Sequence, residues 1–302
     1  MKYIIIIFYI FIAFSYSYAA EIRPDSAADF TRKQHRLVRT LFAGERYFDC
    51  IAETGRLLQY TSDISLQAEY SYFISLNYFL GHQYASAADR LTASDSKGHV
   101  SPVRDALLRS RSFLKLGNMH QAIAALQNIP YDAVGEKFKY ELFIRKTELL
   151  LLDDNYQHAL DEISRYEKNS PPTEAINRLR NDISRYRSLG TKSSVLSVGL
   201  SAALPGAGQA YCGRYSEALL SFTAVAMSGA ATWYAMDRGE KSLAMALGFF
   251  TVLLYSGNLY GASNSAAAYN RNLYNSFRSG IISTHVPNYD PASYIDMEKV
   301  FK

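Results

Sequence analysis

The sequence predicts an all-α protein in two parts, an N-terminal helical-repeat solenoid followed by a C-terminal transmembrane helical hairpin module. Three observations predict it. Turn-forming residues recur in register at Gly44, Gly81, Gly117 and Asp154, spaced by 37, 36 and 37 residues. Residues 218–236 and 242–270 carry no charge and flank the charged stretch Asp237-Arg238-Gly239-Glu240-Lys241. Strand signals, meaning short alternating runs between turn residues, are scarce throughout.

A chain of 302 residues is long enough for two domains, and its charge is distributed unevenly. The net charge of +4 is small and mixed with acidic residues, which argues against nucleic acid as a partner. Cys50 and Cys212 fall in different parts of the chain, so they imply neither a metal pattern nor a disulfide framework. A buried free thiol is the expectation for each.

The first 19 residues read as a signal peptide. Lys2 supplies a positive charge, residues 3–14 form an apolar run, and Ser17 and Ala19 stand at the small positions of a cleavage site. An uncleaved anchor is the other reading, because residues 3–20 are about the shortest stretch that spans a bilayer. Either one exports the domain C-terminal to it.

Residues 20–190 form the expected repeat domain with a terminal helix. In each unit an apolar helix ends at a residue suited to a left-handed cap, a few polar residues turn the chain, and a shorter amphipathic helix comes next. In the third unit Ser101 can cap, Pro102 sits where the helix needs no N–H, and Leu107, Leu108 and Leu114 share one side. The return helix turns Ala122, Ile123, Ala125 and Leu126 inward before Pro130. With Leu116-Gly117 then Ala122, and Leu152-Asp153-Asp154 then Ala159, residues 27–168 resemble tetratricopeptide repeats. They depart from that family in period and lack its Trp and late Pro. The resemblance implies a stacked solenoid whose concave side binds a protein or peptide partner, and such repeats rarely carry chemistry.

His82, His120 and His158 come after the repeat turns at different offsets, so they read as solvated turn residues and no metal site is expected. Tyr70, Tyr72, Phe73, Tyr78, Phe79 and Tyr84 read as inter-helix packing, with a binding platform as the lesser alternative. Pro171-Pro172 breaks the repeats, and Thr173 and Glu174 open a charged helix running to Gly190.

Residues 191–275 form the expected membrane module, and 276–302 a C-terminal tail. Residues 195–204 are too short to span, so they read as a re-entrant arm or a tilted first pass, whereas 218–236 and 242–270 read as an antiparallel transmembrane hairpin. Both segments are rich in small residues, and Gly257 and Gly261 suggest close helix packing within the chain or between copies, the second of which would make a homo-oligomer. Asn258 and Asn264 are costly in lipid and should face a partner helix, the turn or a second subunit.

The glycine-rich stretch between these segments is not a phosphate loop. Tyr211 and Gly213-Arg214 stand where such a loop needs glycine or lysine. Pro205 instead ends the preceding helix, Gly206 and Gly208 permit a re-entrant turn, and Tyr211 and Tyr215 suit the head-group level. The stretch Pro205-Gly206-Ala207-Gly208-Gln209-Ala210-Tyr211-Cys212-Gly213-Arg214-Tyr215 and the later Asn258-Leu259-Tyr260-Gly261-Ala262-Ser263-Asn264, ending at Tyr269-Asn270, stand in order over residues 193–275. Together they resemble a bacterial two-transmembrane-helix domain of unknown function. The resemblance implies no activity, and Cys212 is its one unusual residue.

The expectation is therefore a membrane-anchored envelope scaffold or adaptor that recruits proteins through its repeats, from the periplasmic face of the bacterial inner membrane. Lipid and a protein or peptide are the expected partners, without nucleic acid, cofactor or metal. No paired carboxylates, nucleophile or metal set argues for an enzyme. The alternative is a translocation or insertion element, for which Gln209, Asn258 and Asn264 would share one polar cavity. Arg271 and Arg278 prefer the cytoplasmic side, which conflicts with export of the repeats and leaves two passes and three both open.

Overall fold

The computed structural model describes residues 24–93 and 102–302, so the expected signal peptide and the Ser101 cap lie outside the described residues. Among the described residues the chain is all-α, with fourteen α-helices and no strand. It divides into two compact units, residues up to 171 together with 287–302, and residues 172–286.

The first unit pairs its helices by one repeated device. Helices α1 (Pro24–Ala43) and α2 (Tyr47–Tyr60), α3 (Ile64–Leu80) and α4 (Tyr84–Ala93), α5 (Pro102–Lys115) and α6 (Met119–Gln127), and α7 (Glu136–Leu152) and α8 (Tyr156–Glu167) are joined by the same turn. In each, an N–H reaches back five residues to close the helix: Arg46 to Leu41 at 2.9 Å, Gln83 to Tyr78 at 2.8 Å, Asn118 to Phe113 at 2.9 Å and Asn155 to Leu150 at 2.8 Å. The residue before each donor is left-handed, with φ of 56° at Glu45, 61° at His82, 75° at Gly117 and 55° at Asp154. Four residues after each donor stands a small, fully buried residue, Cys50, Ala87, Ala122 or Ala159. Consecutive helices pack on one another, and α3 with α5 and α5 with α7 also meet.

This corrects the expected cap in two units. Gly44 and Gly81 precede the left-handed residue, and Gly81 has φ −78°. Space explains Gly81: a Cβ there would lie 3.2 Å from the Asn77 oxygen and 3.4 Å from the Phe48 ring.

In the second unit, α9 (Glu174–Ser184) is capped by the Thr173 hydroxyl and passes into a 3-10 turn at Arg185–Ser188, short of the expected Gly190. Helix α10 (Ser194–Ala203) stops at Leu204, and α11 (Ala207–Tyr211) starts after Gly206. Helices α12 (Tyr215–Asp237) and α13 (Lys241–His285) are long and apolar enough to cross a membrane. They turn at Gly239, φ 76°, by the same five-residue closure, Glu240 N–H to the Ala235 oxygen at 3.0 Å. Ser228 and Thr251, with hydroxyls 2.6 Å apart, tie them midway. The apolar segment expected to end at Asn270 continues as helix to His285, because no proline or left-handed glycine interrupts it. At about 1.5 Å per residue α13 is about 68 Å long, roughly twice the thickness of a bilayer's hydrocarbon. The imidazole of His285 meets the Asp182 carboxylate at 2.8 Å.

Candidate functional site

The two motifs of the second unit form one clasp around α10. Asn258, Ala262, Ala266 and Asn270 recur every four residues and therefore share a face of α13, with Gly261, Ser265 and Tyr269 beside them. Asn258, Ala262, Ser265 and Ala266 are buried. Ser197 and Ser201, one turn apart on α10, are fully buried.

The asparagines at the two ends of this face each hold the main chain at one end of α10. Asn270 accepts from the Lys192 N–H at 2.8 Å and donates to the Lys192 oxygen at 2.9 Å. Asn258 accepts from the Gly206 N–H at 2.9 Å and donates to the Ser201 oxygen at 3.0 Å. Twelve helical residues span about 18 Å, enough to bracket the ten residues and about 15 Å of α10. The Tyr255 hydroxyl adds a bond to the Ala202 oxygen at 2.7 Å.

Gln209 fills the centre and is 2 % exposed. Its side-chain oxygen accepts from the Ser201 hydroxyl at 2.9 Å, and its Nε2 donates to the Asn258 main-chain oxygen at 3.1 Å. The Gly208 N–H donates to Ser201 Oγ at 2.9 Å. The Ser197 hydroxyl lies 2.8 Å from the Ala262 oxygen and 3.1 Å from the Gly208 oxygen, which share its proton. These bonds pair the main-chain groups released where the helix breaks at Pro205, a requirement wherever water is excluded.

Glycine is needed here for space. A Cβ on Gly208 would fall 2.0 Å from the Ser197 oxygen and 2.8 Å from the Ala262 Cβ, and one on Gly206, φ 87°, would fall 2.2 Å from the Ala218 oxygen. At Gly261 a Cβ would lie 3.1 Å from Gln209 Nε2. Gly257 is exposed and has no neighbour that a Cβ would meet, so only one glycine of the expected packing pair packs within the chain.

The remaining motif residues lie around this centre. Gly213, φ 78°, is the left-handed residue that ends α11, and the Arg214 N–H closes that turn on the Gln209 oxygen at 2.9 Å. The Arg214 guanidinium reaches Ser265 Oγ at 3.3 Å and pairs with Glu217. Lys192 lies over the Tyr211 ring at 4.4 Å and the Tyr269 ring at 5.5 Å. Tyr215, Tyr260 and Asn264 are exposed and stand outside the clasp. Ser197 and Ser201 belong to the site although neither is in the two motifs, and their spacing of four within an apolar helix was the signal for them.

The first unit holds a second site, which involves its own C-terminal segment. Residues 287–302, with a 3-10 turn at Pro291–Tyr294 and the one-turn helix α14 (Met297–Val300), lie against the repeat helices. Side chains from three helices each bind one of its main-chain oxygens: Arg145 of α7 holds that of Pro287 at 2.6 Å, Tyr72 of α3 that of Pro291 at 3.0 Å, and His35 of α1 that of Lys302 at 2.6 Å. His35 is oriented through its other ring nitrogen by the Tyr70 hydroxyl at 2.7 Å. Phe301 is 1 % exposed, stacked on Tyr70 at 5.6 Å and edge-on to Phe73 at 4.8 Å. Three of the aromatic residues expected mainly to pack helices, Tyr70, Tyr72 and Phe73, thus form the bed of this segment, and the sequence pattern marks residues 276–302 only as a plain tail.

Comparison of the chain with protein-family models, curated proteins and solved structures finds no match.

Proposed function

We propose that this chain is a membrane-anchored scaffold or adaptor of the bacterial cell envelope. Its second unit sits in the inner membrane, and its first unit, a solenoid resembling tetratricopeptide repeats, recruits protein partners on the periplasmic face. The observation that carries the reading is the surface of the two long apolar helices. Leu219, Leu220, Phe222, Met227, Trp233, Met245, Phe249, Phe250, Val252 and Leu253 are all exposed along them. Water would oppose so much apolar area at about 25 cal/mol per Å2, whereas lipid accepts it. The repeated helix pairs supply the recruiting surface.

The clasp supports an anchoring role for the second unit. A translocation element would bring Gln209, Asn258 and Asn264 into one polar cavity, but Gln209 and Asn258 bond to each other and Asn264 is exposed on the helix. A fixed re-entrant turn orients α12 and α13 and needs no substrate.

The reading is tested by pull-down from detergent extracts. Partners captured by the full chain should be lost when residues 27–168 are deleted, and an unchanged partner set would end the recruiting role. Reporter fusions at Asp237 and after Lys302 fix the number of passes, and a cytoplasmic signal from a fusion within the repeats would overturn export.

A further inference from the structure

The bed beneath residues 287–302 joins an apolar floor, where Ile295, Val300 and Phe301 cluster with Tyr70, Tyr72, Phe73 and Leu76, to a charged wall that has the chemistry of a surface. Arg104 and Glu69 pair at 2.8 Å, Arg111 and Glu148 at 2.8 Å, and Arg145 meets Glu148 and Glu141, each at 2.7 Å. Arg104, Arg145 and Glu148 are 3 %, 5 % and 6 % exposed. A permanent core gains from apolar residues at such positions, because burying charge carries a desolvation cost that pairing offsets only in part. A groove that opens to water has to be lined by groups that tolerate water.

The segment also fits its bed imperfectly. The Tyr289 hydroxyl is buried with no hydrogen-bond partner, although its ring lies 5.4 Å from the Arg145 guanidinium. Beside the segment a cavity of about 570 Å3 is left between Glu69, Arg104, Phe138, Tyr294 and Lys299. Residues 287–302, two of whose stretches form single helical turns, are held through three main-chain oxygens and the buried side chains of Ile295, Val300 and Phe301, as a docked peptide ligand would be held.

We infer that residues 287–302 are a resident ligand of the repeat groove, and that the groove takes partner proteins through a short segment of the same chemistry, which displaces them. Such a segment offers an aromatic side chain near each end, as Tyr289 and Phe301 do, with main-chain oxygens for Arg145, Tyr72 and His35 between and beside them. The groove is therefore self-occluded, and a partner's apparent affinity is reduced by the fraction of chains in which the groove is filled. The inference rests on the recruiting role proposed above.

The test uses the full chain in detergent and a fluorescent synthetic peptide of residues 287–302, read by anisotropy. Phe301→Ala in the chain should raise the peptide's affinity at least tenfold over the unsubstituted chain. Adding Tyr72→Phe and His35→Ala to that variant should remove the gain, and a peptide with Tyr289 and Phe301 replaced by alanine should not bind. Equal affinity for the unsubstituted and Phe301→Ala chains would overturn the inference. If Phe301→Ala unfolds the chain, a protease site inserted after the exposed Asn288 replaces it. After cleavage the resident fragment should exchange with labelled peptide of residues 289–302, and a cleaved chain that keeps its fragment without exchange overturns the inference equally. Exchange combined with a pull-down insensitive to loss of the repeats would leave self-docking intact and end the recruiting role. No exchange combined with a repeat-dependent pull-down would do the reverse.

Discussion

The side-chain amide of Gln209 donates to the main-chain oxygen of Asn258 at 3.1 Å, joining the glycine-rich turn to the long helix 49 residues away. The same amide accepts from Ser201, so one side chain ties α10, α11 and α13 together. Gln209→Ala leaves the Ser201 hydroxyl and the Asn258 oxygen without these partners in a dry site. The loss should be about 2 kcal/mol, one or two unpaired buried groups, read as a lowered thermal midpoint of the full chain in detergent. Gln209→Glu should cost more, because it buries a charge facing carbonyl oxygens. A Gln209→Ala chain as stable as the unsubstituted one would show that the clasp does not hold the turn.

The glycines divide by what their missing side chains would meet. Gly208→Ala places a methyl 2.0 Å from the Ser197 oxygen, and that oxygen belongs to a helix and cannot swing aside. The helices must separate, with a loss of about 4 kcal/mol or failure to fold. Gly199→Ala and Gly257→Ala meet nothing within 4 Å and should leave stability unchanged or slightly raised. Unfolding in detergent of these three variants side by side checks both halves, and a tolerated Gly208→Ala would rule out the close contact.

The two motifs were legible as a pair, because glycine, glutamine and asparagine are unusual in apolar segments and have to be explained by packing or pairing. Their role was legible only in part. Spacing along the chain says nothing of contacts such as Gly206 to Asn258, so the turn read as an entry at the membrane surface while its bonds run inward. The helix pairs were legible from the recurring turns, but the left-handed residue at Glu45 and His82 was not, since both carry a Cβ that such a position disfavours. Residues 287–302 have no periodicity, and their partners lie as much as 267 residues away, as with His35 and Lys302, so no local pattern announced their docking.

That offset gives a stability prediction. Glu45 and His82 hold φ of 56° and 61° where Gly117 holds 75°. Replacing either by glycine relieves a backbone strain of about 1 kcal/mol, partly offset by glycine's entropy in the unfolded chain. Glu45→Gly should raise the urea midpoint, and His82→Gly should do so less, because it loses the 2.7 Å contact of the imidazole with the Tyr84 hydroxyl. Gly117→Ala should lower it by about 1 kcal/mol. Opposite signs would mean that the closing turns do not persist in solution.

Cys50 stands where the other three helix pairs carry Ala87, Ala122 and Ala159, all fully buried. Burial, helped by Asp49 and opposed by Arg46, pushes its thiol from 9.0 up to about 11. Below pH 9 the thiol is neutral in both states and its contribution to stability is fully present. Between pH 9 and about 11 the unfolded chain releases this proton while the folded chain keeps it, so stability falls as pH rises. Tyr70, raised by burial from 10.0 to about 12, adds a later loss of the same sign. Cys50→Ala places the residue of the other pairs at this position and should cost about 1 kcal/mol at pH 8, the packing of one sulfur. It should also remove the earlier part of the alkaline decline, so that the urea midpoints of the two chains converge between pH 9 and 11. The difference between the chains isolates Cys50, because every other titrating group is common to both. Curves that stay parallel over that range would mean that the thiol is not buried as the small residue of a helix pair, and that the repeated turn does not extend to the first pair.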